Sequence, residues 1–449
     1  MARQIEELAA FVAATQWEDV PPSVQHHTRL VLLDTLGVIL AGAERPEVRQ
    51  LRERLGAGSG ATVYASGWPS QDPRTAALLN GIAGRSIELC EGLRLVSGQA
   101  AMQVLPGVLA VGEQARSTGR DMLTALLLGY DVAARLAGGF TPRPLAHQNG
   151  QVSLLAAAAA GARLRGLDAA GISRAMRIAT TLLLTPSYTN AVAGATALNV
   201  AGGMSGFASA LAPELALAGF EAQNDAIEQA LGQLVGSGFT SEGLLDGLGS
   251  TWHITRNYFR LYACCNPIHP ALDCLQRALA ELRPRPEEIA HIDIATYGFA
   301  AVMRNPDPPN FFASKYSLPH AAAAMAVRGH AGHSALDDSA VHDPAIVALR
   351  HRVTVAEDPA MSAVAPRLRP ARVTVVLSDS RSATHACDSH RGDFQQPFAE
   401  TELRDKFREL AGTVLTPDGV MLVEQAVDRC ETWDSADVLT TLCRRHGRS

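Results

Sequence analysis

No run of about 18 consecutive apolar residues occurs in the sequence, so no segment reads as a membrane span. Charge is scarce: Asp, Glu, Lys and Arg make up 19% of the chain. The net charge of −6 gives no reason to expect nucleic acid or an anionic membrane as a partner. Aromatic residues are few, at 5%. The cysteines number seven, an odd count, and lack the paired spacing of a zinc site. Neighbours Cys264 and Cys265 point apart in an extended chain and do not readily serve one tetrahedral metal. Free thiols in a reducing, cytoplasmic compartment are expected. Met1 to Gln16 holds Glu6 and Glu7 and no long apolar core, so it does not read as a signal peptide. Also missing are a Rossmann glycine fingerprint, a Walker loop, a Gly-x-Ser-x-Gly elbow and a His-Glu-x-x-His pair. His330 and His333 have metal-like spacing beside Asp337 and Asp338, but their Gly/Ala-rich surroundings argue against a metal. The expectation is a cofactor-free enzyme with acid/base groups.

What the chain does have is apolar mass. With 449 residues, 47% of them hydrophobic, it is too long for one ordinary core, and two domains are expected. Abundant Ala and Gly suit closely packed helices. Ile5, Leu8 and Val12 line one helical face. Pro21-Pro22 breaks the chain, and the next helix runs through Leu30 to Gly42, apolar nearly all round. Asp34 inside it needs a partner. Another helix starts at Asp72-Pro73-Arg74. Glu88 and Glu91, three apart, share a helical face if that helix lasts so far. Ser97-Gly98-Gln99 reads as a loop before further apolar helices at Val104 to Ala115 and Met122 to Leu136. A Pro/Gly-rich loop, Gly138 to Gly150, carries His147 just before an Ala-rich helix, Val152 to Leu167, near its positive end.

From about Arg260 the texture changes. His291 to Gly298, His351 to Asp358 and Ala371 to Asp379 alternate like strands. Ser317 to Arg328 reads as a helix with His320 near its start. Glu400 to Cys443 returns to amphipathic helices, expected to pack back on the first part. The fold class is therefore mainly α with an α+β lid. A helical domain takes residues 1–255, the lid 256–399, and 400–449 completes the helical domain. The densest stretch of reactive side chains is Arg256 to Leu275, with Arg260, Tyr262, Cys264, Cys265 and His269 in it and two prolines bracketing the histidine.

Several pieces, in their order and spacing, resemble the MmgE/PrpD family over nearly the whole chain. They are LLDTLGVILAG, NGIAGRSIEL, VLPGVLAVGE, YACCNPIHPALD, KYSLPHAAAAMAVRG and RGDFQQPFAETELRDKF. That family includes 2-methylcitrate dehydratase, cis-aconitate decarboxylase and iminodisuccinate epimerase. The resemblance implies a large helical domain built from both chain ends, an inserted α+β lid, a homodimer, and proton chemistry beside carboxylates without an organic cofactor. Residue by residue, the family's acidic position falls on Glu88, with its preceding His on Arg85. The following acidic pair falls on Cys90 and Glu91. His147 matches the second active-site His. Positions usually His, Lys, Lys and Tyr fall on Gln99, Ala197, Arg260 and His320.

The resemblance implies a lyase or isomerase acting on a small molecule; His147, and His320 where the family usually has a Tyr, are expected to do the acid/base work. Glu88 or Glu91 is the second proton carrier, and Arg260 is an anion clamp. Gln99, Tyr262, His269 and Ala197 join Arg260 on the substrate-binding side. Glu88, His147, Arg260 and His320 are expected to meet in one cleft. Neutral Gln99 and Ala197 remove a titrating group and a cation, which implies a substrate with fewer carboxylates than the family's tricarboxylates, or a different reaction on the same scaffold. A specialised biosynthetic pathway is the expected setting for such a divergent copy. His253, Arg256 or Arg94 would be the compensating cations. The alternative is a non-catalytic scaffold that binds a metabolite or a partner.

Overall fold

The structure, a computed structural model, describes residues 2–93 and 98–448. Arg94 and Ser97 lie outside the described residues. Among the described residues no helix is long and apolar enough to cross a membrane.

The chain is mainly helical, and its helices approach closely because small residues face one another. Pro73–Ser86 packs on Leu198–Leu217, where a Cβ added to Gly81 would sit 2.7 Å from the Gly203 Cα. The Ala-rich helix Val152–Leu164 is buried through Ala156–Ala160, with Gly119–Gly139 and Ala100–Ala115 against it. At Gly161 an added Cβ would meet the Ser209 carbonyl oxygen at 1.9 Å. Ala and Gly thus serve here by their lack of bulk, and backbones meet where larger side chains would hold them apart.

Asp34 finds its partner across the chain. It lies in Pro22–Gly42, and Lys406 of Glu400–Ala411 reaches it at 2.6 Å while also donating to the Leu89 carbonyl at 2.8 Å. Phe407, on the same late helix, is fully buried in the large apolar cluster that begins with Ile5 and Leu8.

A second apolar cluster lies around a four-stranded sheet in the order Val353–Glu357, Ile289–Thr296, Ala371–Leu377, Ser382–Cys387. The first pair is parallel and the others antiparallel. Strand Ile289–Thr296 buries Ile289, Ile292, Ile294 and Thr296 and exposes His291 and Asp293, as alternation predicts for a half-covered sheet. The fourth strand is not legible in the sequence, since SATHAC has little apolar alternation. Helix His269–Leu282 packs on the last two strands. Val38, Ile87, Leu89, Leu198 and Leu410, all from the helical segments, also feed this second cluster, so the two cores adjoin.

One local expectation needs correction. The helix Pro73–Ser86 stops before Glu88, whose φ is 52°, in the left-handed region that non-glycine residues seldom adopt. Glu88 and Glu91 therefore do not share a helical face.

Candidate active site

The turn after Ser86 is what presents Glu88. Its carboxylate is fully buried and held from three sides. Arg85 donates to Oε2, Tyr316 Oη donates to the same oxygen at 2.9 Å, and Arg260 Nη1 donates to Oε1 at 2.7 Å. Arg85 Nη2 also donates to the Tyr316 hydroxyl at 2.7 Å, closing a ring of contacts. Burial by itself would push the Glu88 carboxyl up, but Arg85 and Arg260 together bring it down to about 2. A left-handed backbone at such a residue is the local strain that surrounding ion pairs can sustain.

These groups line a cavity of about 260 Å³, with His147, Gln99, Asn149, Tyr188, Tyr258 and Arg369 on its other walls. His147 is half-buried; its backbone N–H donates to the Pro186 carbonyl at 2.7 Å, and its ring stacks on Tyr188 at 5.6 Å. Its Nδ1 accepts from the Asn149 N–H at 3.2 Å, which places the neutral ring's proton on Nε2. Burial, with Arg85 nearby, lowers its pKa to about 3 against the opposing pull of Glu88. Arg369 is held to Asn266 Oδ1, and Asn266 in turn contacts His390 Nε2 at 2.9 Å. The Asn149 carboxamide and the Gln99 Oε1 are buried without a protein hydrogen-bond partner among the described residues. Buried polar atoms of that kind are capacity for a polar ligand.

Of the expected site residues, Glu88, Gln99, His147 and Arg260 line this cavity together. The other five do not. His320 sits on Leu318–Arg328, buried inside the α+β part, with neither ring nitrogen hydrogen-bonded among the described residues. Burial, with Arg350, Lys315 and Arg328 near it, lowers its pKa to about 3. The phenol that does reach Glu88 is Tyr316, just before that helix begins. Glu91 lies behind the wall, accepting from Tyr130 Oη at 2.8 Å and the Ala101 N–H at 3.0 Å. Tyr262 donates to Asp273 at 2.6 Å, away from the cavity. His269 contacts the Cys264 carbonyl at 3.0 Å through Nε2, behind Arg260. Ala197 is exposed at the start of Leu198–Leu217. His253 and Arg256 are not on the cavity wall either; among the described residues the cations there are Arg85, Arg260, Arg369 and, at the exposed lip, Arg143.

Sequence reasoning alone misses Asn149, Tyr188 and Tyr316, and gives no role to Arg85, which falls on a family His position. Arg85 and Tyr316 fall inside the family-like motifs, three residues before Glu88 and four before His320, yet nothing in their spacing says they converge. Around His330 and His333, no group of three or more His, Cys, Asp or Glu side chains among the described residues is arranged to hold a metal.

Fold and cavity together define a class: a mainly helical scaffold with a basic cavity around one buried carboxylate. The N-terminal domain of the MmgE/PrpD family matches residues 6–238 and its C-terminal domain residues 262–431, and the chain belongs to this family. It is 24% identical over 456 residues to a cis-aconitate decarboxylase of Aspergillus terreus, covering 94% of this chain and 92% of the relative. A cis-aconitate decarboxylase-like protein of Aspergillus oryzae is 24% identical over 474 residues, covering 96% and 95%. The human cis-aconitate decarboxylase is 22% identical over 441 residues, covering 94% and 90%. Family and relatives together define the chain as an enzyme of the lyase type.

Proposed function

We propose that this enzyme removes carbon dioxide or water from a small acid carrying one or two carboxylates, without a cofactor, by moving a proton at the carbon beside a carboxylate. The observation that carries the reading is the double pairing of Glu88 with Arg85 and Arg260 in the wall of the cavity. A carboxylate held at about 2 is a poor proton carrier at neutral pH. Its part is to hold two guanidinium groups in place. Their remaining N–H groups, with Arg369, then receive the substrate carboxylate and steady the enolate-like charge left when a carbon bond breaks.

His147 is the proton-exchanging group in this reading. With Nδ1 engaged by the Asn149 N–H, Nε2 is the nitrogen left for the substrate. A bound anion raises the proton affinity that burial and Arg85 suppress in the free enzyme. Imidazolium then forms with substrate present by protonation of Nδ1 from solvent, which displaces the Asn149 N–H, and the Nε2 proton goes to the carbon. Tyr316, between Arg85 and Glu88, is the second acid. His320 and Glu91 have no part, since neither lines the cavity.

The relatives' names support bond cleavage beside a carboxylate. Three substrate carboxylates are disfavoured: Arg85 and Arg260 already answer Glu88, and Gln99 on the cavity wall is neutral. An unanswered carboxylate in a closed site costs about 2–5 kcal/mol. A homodimer and a cytoplasmic location belong to the same reading; the family resemblance supports the first and the free thiols the second.

The test is a panel of mono-, di- and tricarboxylic acids, followed for carbon dioxide release, alkene absorbance and proton exchange with deuterated solvent. One mono- or diacid is expected to turn over, and His147→Ala should lower kcat by about 10²–10⁴-fold. Efficient turnover of cis-aconitate or 2-methylcitrate would remove the carboxylate limit. Full activity in His147→Ala would remove the assigned role.

A further inference from the structure

Away from the cavity, two thiols meet between a helix and an edge strand. Cys274 lies on His269–Leu282 and Cys387 ends the strand Ser382–Cys387. The Cys274 Sγ–H donates to the Cys387 Sγ at 3.4 Å. Cys274 is buried, and Cys387 is half-buried, which gives small solutes a way in. The Cys387 Sγ–H in turn donates to the Pro270 carbonyl at 3.4 Å, so it faces the first turn of the helix and gives up this bond when it ionises. No other hydrogen bond joins two cysteine side chains among the described residues.

We infer that Cys274 and Cys387 form a redox-reversible thiol pair, oxidised to a disulfide by hydroperoxides and restored by small thiols. The hydrogen bond from Cys274 lowers the Cys387 pKa, which favours its thiolate, the nucleophilic form. The Cys387 thiolate attacks a peroxide oxygen; the O–O bond breaks, a proton is taken up and water or alcohol leaves, giving a sulfenic acid. The Cys274 sulfur then attacks the Cys387 sulfur. Its S–H proton leaves with the displaced hydroxide as water. Two cysteines lose two electrons and two protons, and the peroxide gains them. Closing the bond brings the sulfurs from 3.4 Å to about 2.05 Å, a shift small enough for side-chain rotation and a slight strand movement.

The position of the pair gives the bridge a consequence. The helix holding Cys274 follows directly on Cys265, Asn266 and Pro267, which line the cavity. Just past Cys387, the Asp388 carbonyl accepts from the Arg369 N–H at 3.0 Å, and His390 contacts Asn266 at 2.9 Å. A bridge therefore clamps the helix that follows Asn266 to the strand whose continuation, through Asp388 and His390, holds Arg369 and Asn266, and stiffens that wall.

The experiment uses the full chain, reduced, desalted and exposed to hydrogen peroxide, then digested and read by mass spectrometry alongside a thiol count in denaturant. Two of the seven thiols should disappear, in a single cross-linked peptide pair holding Cys274 and Cys387, and dithiothreitol should restore them. The Cys387→Ser variant should lose this peptide while keeping its native circular dichroism. Hydrogen exchange of residues 388–391 should slow in the oxidised wild type only. Oxidation of a different pair, or of Cys387 to sulfinic acid with no bridge, overturns the pair. A bridge that leaves exchange at 388–391 unchanged overturns its coupling to the cavity wall. Neither readout uses substrate, so failure here is distinct from failure of the proposed reaction.

Discussion

Glu88 and Glu91 are three residues apart and are driven in opposite directions by what surrounds them. Glu88 meets two guanidinium groups and is brought to about 2 despite burial. Glu91 meets only neutral donors, and burial lifts it to about 7. Their linkage to stability has opposite signs. With its folded pKa below the unfolded value of about 4.3, Glu88 contributes stability above that pH and loses it as pH falls towards about 2. Glu91, raised in the fold, contributes below pH about 4.3 and loses that contribution as pH rises through about 7. Glu88→Gln leaves two buried guanidinium groups short of a counter-charge and should cost about 3–5 kcal/mol in urea unfolding at pH 7. A loss under about 1 kcal/mol, the range of an exposed pair, would mean that the network is solvated. Glu91→Gln keeps an acceptor for Tyr130 and should flatten the fall of melting temperature between pH 5 and 8. An unchanged pH profile would show that Glu91 does not titrate there.

Helices in this chain meet on Gly and Ala, so single methyl groups matter at their crossings. Gly161→Ala would place a methyl 1.9 Å from the Ser209 carbonyl oxygen, and neither helix can yield without opening the packing around Ala156–Ala160. The expected loss is about 1–3 kcal/mol or more, the usual cost of overpacking. Gly166→Ala is the comparison: its added Cβ meets nothing, although its φ of 73° carries its own strain. Equal stability of Gly161→Ala and wild type would refute the contact. The Asp34–Lys406 pair joins an early helix to a late one, and both side chains are buried. Lys406→Met strands a buried carboxylate and should cost about 3–5 kcal/mol. Adding Asp34→Asn should recover part of that loss; no recovery would put the cost in packing rather than charge.

For the whole molecule, the contrast is between a net charge of −6 and a cavity bordered by Arg85, Arg143, Arg260 and Arg369. Basic residues are concentrated where an anion would bind. Raising ionic strength from about 0.01 M to 0.15 M shortens the screening length from about 30 Å to about 8 Å. KM for the carboxylate substrate should therefore rise with salt while kcat changes little; a salt-independent KM would place the substrate away from these arginines. The assignment of 1–255 with 400–449 to one domain also has a whole-chain test. Ending the chain at 399 removes Phe407 from the core and Lys406 from Asp34, and the truncated protein should lose its cooperative unfolding transition. A cooperative transition would separate the late helices from the domain.

The sequence by itself determined most of the longer helices, three of the four strands of the sheet and the division of texture, but not the strand Ser382–Cys387. Alternating apolar residues mark a strand wherever one face is covered, and Ala-rich stretches mark helices that meet closely. Those are local signals, each carried by neighbours in the chain. It also determined that Asp34 needed a partner, because a polar group buried in an apolar helix is costly to leave unsatisfied. That Lys406, 372 residues later, supplies it was decided only in three dimensions. The same divide runs through the candidate site. Glu88, Gln99, His147 and Arg260 were legible because they lie in recognisable motifs. Arg85 and Tyr316 lie in such motifs too, but their pairing with Glu88 was not legible, since it rests on the turn at Glu88 that aims all three at one point. His320 shows the converse: a chemically suitable side chain whose backbone directs it into the core. Side-chain direction is a property of the folded backbone, and motif spacing does not encode it.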